Sequence, residues 1–197
     1  NQVMQVIREL GLRDITVAAS SLGSANDVLA QCIEEGIVTG IQTSGIRGRI
    51  GEAVSTGKLK TPAILRTHGG RVRAIECGEV HIDVAFIGAS SSDEFGNASG
   101  KNGKANCGCL SYSDIDARYA DKVVVITDTL VPFPNKPASI SCIDVDYVVV
   151  VDEIGNPKKI ASAAARITDN PRDLKIAEKC AEIMRATPYF KDGFSFQ

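Results

Sequence analysis

The chain has 197 residues, with 22 basic and 24 acidic side chains, a net charge of −2 and a pI near 5.7. At roughly 100–200 residues per domain this is one domain with enough chain to bury a core, and the balanced charge excludes a nucleic-acid partner held mainly by phosphate neutralisation. Apolar residues make up 44% and charged residues 23%, a globular composition rather than a disordered one, and no apolar run reaches the ~18 residues of a membrane span.

Helix and strand patterns alternate along the chain. Val3, Val6, Ile7 and Leu10 fall at helical spacing between Gln2 and Leu10, and Gly11 follows as a stop. Ile15–Ala19 reads as a short buried strand. A helix capped at Ser24 or Asn26 then runs to Glu35, with Val28, Leu29, Cys32 and Ile33 on one face and Gly36 at its C-terminus. Next come a strand over Val38–Thr43, a helix over Arg47–Thr56 ended by Gly57, a strand over Ala63–Arg66, a short helix over Val72–Cys77 and a strand over Val84–Ile87. The Gly/Ser/Asn-rich stretch Ala89–Gly108 has no periodicity, and structureless segments of that length in compact domains are usually functional or mobile.

A helix capped at Ser113 runs to Ala120, and the β-branched run Val123–Thr127 is a strand. Pro132, Pro134 and Pro137 exclude regular structure from the following loop. Tyr147–Val151 is a further buried strand. Asn170 and Pro171 open a helix to Ala186, with Leu174, Ile176, Ala177, Cys180, Ile183 and Met184 mostly inward. Strands apolar on both faces and joined through helices predict an α/β fold, a mainly parallel sheet with helices on both faces. No linker divides the chain, so residues 1–197 are expected to form a single lobe. The start at Asn1, with no signal peptide visible, and the end just after Gly193-Phe194-Ser195-Phe196, which reads as a strand broken midway, predict a fragment of a longer chain.

The six cysteines are Cys32, Cys77, Cys107, Cys109, Cys142 and Cys180. Cys32 and Cys180 sit on apolar helix faces, where thiols behave as small hydrophobes. Cys107-Gly108-Cys109 lacks the two- to four-residue gap of zinc knuckles and a second pair, and His68 and His81 lie far from it in sequence. The expectation is no metal site, and reduced thiols in a cytoplasmic chain.

Ligands of open parallel sheets bind beyond the carboxyl ends of the strands, so three loops are candidate sites. Thr43-Ser44-Gly45-Ile46-Arg47-Gly48 follows a strand and opens a helix, where backbone N–H groups meet an anion; it matches neither a dinucleotide fingerprint nor a P-loop, and a plain tight turn reads equally well. In His68-Gly69-Gly70-Arg71 the glycines admit a ligand to the backbone, Arg71 offers a fork for a carboxylate or phosphate, and His68 is a candidate acid or base. The alternative there is a glycine turn beside a solvated arginine. In Ser92-Asp93-Glu94-Phe95-Gly96-Asn97, Asp93 and Asn97 are suited to holding a turn, with Gly96 at positive φ, and that structural reading leads over a ligand site. No Ser-His-Asp order is defensible.

These loops, in this order, carry a resemblance. The stretches SGIRG, HGGRV, GEVHIDVAFIG, DEFGNASG-x-x-GKA, VVVITD-x-L-x-PFP-x-x-PASI, VDYVVVVD, TDNPR and YFKDGFSFQ span nearly the whole chain. Through them it resembles the α subunit of citrate lyase, the citrate CoA-transferase component. The IDVAFI…DEFGN pattern is similar, more weakly, to acyl-CoA:carboxylate CoA-transferases. The resemblance implies a CoA-transferase lobe that is most of the first of two lobes, the catalytic glutamate of related enzymes lying in the second. On this reading the present stretch holds no catalytic residue and is inactive alone.

The implied reaction is exchange of acetate for citrate on an acyl-carrier thioester, giving a citryl thioester. The implied partners are the β (lyase) and γ (acyl carrier) subunits, citrate and acetate, in the cytoplasm. The thioester sits on a CoA-like prosthetic group of the carrier, so no cofactor is expected to be bound covalently to this chain. From loop position, Ser44, Gly45, Arg47, His68, Gly69, Gly70, Arg71, Asp93 and Asn97 are the expected contacts to substrate or thioester arm. The alternatives are a CoA-transferase for another small acid, and a non-catalytic carrier-docking or assembly module.

Overall fold

A computed structural model describes residues 2–23, 27–156 and 168–194. The chain divides into two compact units, Asn1–Ile160 and Ala161–Gln197. The helix caps expected at Ser24 or Asn26, and the chain ends at Asn1 and at residues 195–197, lie outside the described residues.

In the first unit α1 (Gln2–Glu9) leads to β1 (Ile15–Ala18), α2 (Asp27–Glu34), β2 (Val38–Thr43), α3 (Gly48–Ser55) and β3 (Ile64–Leu65). The three strands form a parallel sheet in the order β1-β2-β3. Strand β2 is central and buried along almost its whole length, as the middle strand of a parallel sheet is. Leu29, Ala30, Cys32 and Ile33 of α2 and Ile50 and Ala53 of α3 pack with Val38 and Ile41 in the first core.

Helix α4 (His68–Glu76) leaves β3 and places Ala74 and Ile75 in a second core. That core surrounds a second parallel sheet in the order β4-β7-β8, built from β4 (Ile82–Ala89), β7 (Ala120–Thr127) and β8 (Tyr147–Val150). Helix α5 (Ser113–Tyr119) precedes β7 and contributes Ile115 and Ala117. Ala18 at the end of β1 packs against the second core while Val17 and Ala19 pack against the first, so β1 lies at the seam. Val84, Phe86, Tyr147 and Val149 of the second sheet are exposed.

The two central strands end alike. Buried Thr43 closes β2 with its hydroxyl bridging the N–H and carbonyl of Gly45, and buried Thr127 closes β7 with the same pair of contacts to Thr129.

Several elements differ from expectation. Helix α4 begins at His68, four residues before the expected start, because Thr67 Oγ1 accepts from Gly70 N at 3.1 Å and caps a turn that two glycines disfavour. Helix α5 has no side-chain cap; Ser113 is its first residue and Tyr112 flanks it. The stretch from Ala89 to Gly108 contains a small antiparallel pair, β5 (Ser91–Ser92) with β6 (Ala98–Ser99), buried through its serines and Ala98.

In the second unit α6 spans Pro171–Ala186, and Asn170 accepts from Arg172 N at 3.0 Å as its expected cap. None of its residues is buried, so its apolar stripe, Cys180 included, is not inward as the periodicity predicts. The described residues of this unit supply no second layer of structure against which a helix face could close. Cys32 is buried as expected, and Cys107 and Cys109 are exposed.

Candidate functional site

The carboxyl ends of β2 and β3 are neighbours, since Thr43 pairs with Leu65. The loop after β2 is zipped to the loop after β1: Ser44 N donates to Ser20 O at 3.1 Å, Leu22 N to Gly45 O at 2.9 Å, and Arg47 N to Leu22 O at 2.9 Å. These bonds fix the Ser44-Gly45 backbone. Ser44 Oγ is buried with no hydrogen-bond partner among the described residues. Arg47 stands at the start of α3, exposed, and its side chain makes no cap.

The loop after β3 turns at once into α4. His68, Gly69 and Gly70 are its first residues, so the expected glycine loop is the opening turn of a helix. Its first N–H groups have no partner within the helix, which favours an anion there. Gly69 is exposed, and the space a Cβ would take holds nothing within 4 Å. His68 Nδ1 meets the Tyr112 hydroxyl, and the two rings are tilted at a centroid distance of 5.0 Å.

Arg71 departs most from the solvated group that sequence leaves open. It is 4% exposed, and its Nη2 donates to Asp116 Oδ1 on α5 at 2.6 Å. Its Nη1 is buried with no partner among the described residues. Burial pushes the Asp116 carboxyl above the ordinary carboxylate range, and the hydrogen bond and charge of Arg71 only partly counter this.

Asp93 and Asn97 are engaged within the protein. Asp93 is fully buried and accepts four hydrogen bonds, from Phe95 N, Asn97 N, Asn97 Nδ2 and Asn135 N, at 2.8–3.1 Å. Burial alone would raise its pKa, and these four donors overcome that and hold it below the usual aspartate value. Asn97 Oδ1 accepts from Cys142 N, and its carbonyl accepts from Asn135 Nδ2. Gly96 adopts the expected positive φ, +99°. With every carboxylate oxygen satisfied inside the fold, Asp93 braces the loop instead of offering itself to a ligand.

The paired ends of β2 and β3 therefore lead into two loops, one carrying Ser44, Gly45 and Arg47 and the other His68, Gly69 and Gly70, while Arg71 turns to α5 and Asp93 and Asn97 knit the loops after β4 and β7. Sequence reasoning missed Tyr112, Asp116 and Asn135, which lie 44, 45 and 42 residues from their partners. No local pattern links such positions. Among the described residues one group of metal-ligand type is present: His81, Asp83 and Asp121 bring donor atoms within 4.8 Å of one another, all exposed, at the amino ends of β4 and β7.

Comparison with known proteins places this geometry in context. A family model described as "Citrate lyase, alpha subunit (CitF)" matches residues 1–197. The citrate lyase alpha chains of Haemophilus influenzae and Klebsiella pneumoniae are 48% and 47% identical over all 197 residues, which span 39% of each relative's length. Among solved structures, a citrate lyase alpha subunit from Streptococcus mutans in complex with citrate superposes with a TM-score of 0.90 at 52% identity, over 99% of this chain and 38% of that one. An acyl-CoA transferase from Escherichia coli O157:H7 shares the fold at 14% identity, with a TM-score of 0.65 over 91% of this chain and 47% of that one.

Proposed function

Since the chain belongs to the citrate lyase alpha subunit family, we propose that it supplies one lobe, residues 1–197, of a citrate CoA-transferase whose full-length chain exchanges acetate for citrate on an acyl-carrier thioester. A citrate carboxylate oxygen attacks the acetyl carbonyl, the carrier thiolate leaves, and an acyl anhydride remains. The thiolate then attacks the citryl carbonyl of the anhydride, and acetate departs. Negative charge develops on a carbonyl oxygen in each addition and is present throughout on citrate, so the site needs fixed donors more than it needs acids or bases.

The donors at the ends of β2 and β3 suit those tasks. The N–H groups opening α4 and the Ser44 hydroxyl are fixed dipoles, and Arg47 and Arg71 are forks for carboxylate oxygens. Glycines at positions 45, 69 and 70 leave room for the carboxylate or for the thioester arm of the carrier. His68, held by Tyr112, borders the same turn. The observation that carries the reading is the match of this family along all 197 residues, together with a solved relative in complex with citrate at 52% identity. In this reading the chain works in the cytoplasm beside a lyase subunit and a carrier subunit bearing a CoA-like prosthetic group, and the second half of the site lies on sequence that the longer relatives carry.

The test is thioester exchange. Acetylated carrier or acetyl-CoA is mixed with labelled citrate, and citryl thioester is sought by mass, for residues 1–197 alone and for a chain of the relatives' full length. Exchange by the long chain only supports the reading. Exchange with other small acids but not with citrate, by a folded long chain, overturns the substrate assignment. Tight carrier binding without any exchange moves the function to docking.

A further inference from the structure

Resting on that reading, we infer that Tyr112 is a positioning residue. Its hydroxyl holds His68 as the tautomer with the proton on Nε2, and His68 uses that N–H as a fixed donor to the carbonyl oxygen on which charge develops during acyl exchange. An exposed histidine otherwise turns about its side-chain bonds and trades its proton between two nitrogens. His68 is exposed, yet its Nδ1 meets the Tyr112 hydroxyl, with the rings tilted by 59° at a centroid distance of 5.0 Å. A phenol O–H is the stronger donor and an imidazole imine nitrogen the stronger acceptor, so a neutral pair joins as O–H to N. Nδ1 then accepts, and the proton sits on Nε2, which has no partner among the described residues.

Both ends of the contact are anchored. Tyr112 lies between Leu110 and Ile115 of the second core, and its carbonyl accepts from Asp116 N at 3.4 Å. His68 follows directly on Thr67, the cap of α4. One turn further along each helix, Arg71 Nη2 donates to Asp116 Oδ1 at 2.6 Å, and this buried pair sets the spacing at which Tyr112 reaches His68. The setting suits a donor. His68 stands beside the opening N–H groups of α4, where negative charge is favoured, and its neighbour Gly69 is exposed with open space about it. The exchange asks for no base, because the attacking carboxylate is already ionised and the thiolate leaves as an anion. A neutral imidazole polarises a carbonyl through its N–H, so the proton stays on Nε2 throughout. Tyr112 does not touch the substrate.

The experiment uses the full-length chain with acetylated carrier and citrate. His68→Ala is expected to lower kcat roughly a hundredfold, as loss of one donor to a developing oxyanion does. His68→Gln, which keeps an N–H donor but cannot serve as acid or base, is expected to recover much of that loss. Equal loss in both variants overturns the donor role in favour of proton transfer. Tyr112→Phe is expected to lower kcat roughly tenfold, within the coupling seen between residues of one hydrogen-bonded network, and to cost nothing further in a chain already carrying His68→Ala. The same loss with or without His68 overturns the positioning role and leaves Tyr112 structural. A raised KM for citrate at unchanged kcat overturns the carbonyl-oxygen assignment. Should a variant fail to fold, nitrogen NMR of the histidine-labelled unmutated chain decides: a protonated Nε2 with a bare Nδ1 on His68 supports the proposal, and the reverse tautomer overturns it. An unmutated long chain that does not exchange citrate removes the functional reading itself, an outcome distinct from any result with the variants.

Discussion

Asn135 donates its backbone N–H to Asp93 Oδ2 at 2.9 Å across 42 residues of chain, and its side-chain amide donates to the Asn97 carbonyl and to Ser91 Oγ. This one residue ties the proline-rich loop after β7 to the loop after β4. Asp93 is the hub of the arrangement, because its carboxylate faces four donors in a fully buried position.

Replacing Asp93 by Ala is therefore expected to lower stability by about 3–5 kcal/mol, the range for removing one partner of a buried charged hydrogen-bond network. Urea unfolding measures it. Glu94→Ala, one residue along and exposed, is expected to stay within about 0.5 kcal/mol of the unmutated chain.

The same carboxylate sets a pH dependence. Its folded pKa lies below the ordinary 3.8, so its contribution to stability is present above that value and is lost as pH falls through the lower folded value. Asp116, raised by burial, acts with the opposite sign: above 3.8 its contribution declines as pH climbs through its folded value. Urea midpoints recorded from pH 3 to pH 7 for the unmutated chain and Asp93→Asn separate the two. The variant is expected to be less stable near neutrality, with the difference narrowing in acid.

Two glycines are expected to respond differently to alanine. At Gly103 an added Cβ would lie 1.7 Å from the Ser90 carbonyl oxygen, so Gly103→Ala must displace backbone and is expected to cost about 2 kcal/mol or more. At Gly69 the space is open, and alanine is the better helix former by up to about 1 kcal/mol. Gly69→Ala is expected to raise the melting temperature slightly while raising KM for citrate in the long chain, because the new methyl group stands where a ligand would approach the helix start.

Removing the cap of α4 tests how the helix begins. Thr67→Ala deletes the acceptor for Gly70 N and is expected to cost about 1 kcal/mol, whereas Thr67→Ser is expected to lie within a few tenths. Chemical denaturation of the three proteins distinguishes these outcomes.

Much of the fold is legible in local sequence. Val38–Thr43 is a strand with both of its expected limits, because the helix stop at Gly36 and the Ser44-Gly45 turn bound it on either side. Asn170 and Pro171 mark the start of α6, since each suits its own backbone position there. The start of α4 is hidden because Gly69 and Gly70 carry poor helix propensity, and the cap at Thr67 overrides it only through a contact three residues away. The exposure of the α6 stripe shows the limit of periodicity, which identifies an apolar face but not what closes over it.

The order of elements, the parallel pairing implied by strands apolar on both faces, and the family resemblance were determined by the sequence itself, because hydrophobic period, turn chemistry and long exact motifs are properties of neighbours along the chain. Which charged groups remain free was decided only by tertiary structure. Arg71 reads from sequence as a ligand fork or a solvated group, yet packing buries it against Asp116 and leaves one arm unmatched among the described residues, whereas the turn that sequence favours around Asp93 and Asn97 is formed and is tied down by Asn135 and Cys142. The physical reason is that burial makes each unpaired polar atom costly, and the partner of Arg71, like the last donor to Asp93, comes from more than forty positions away.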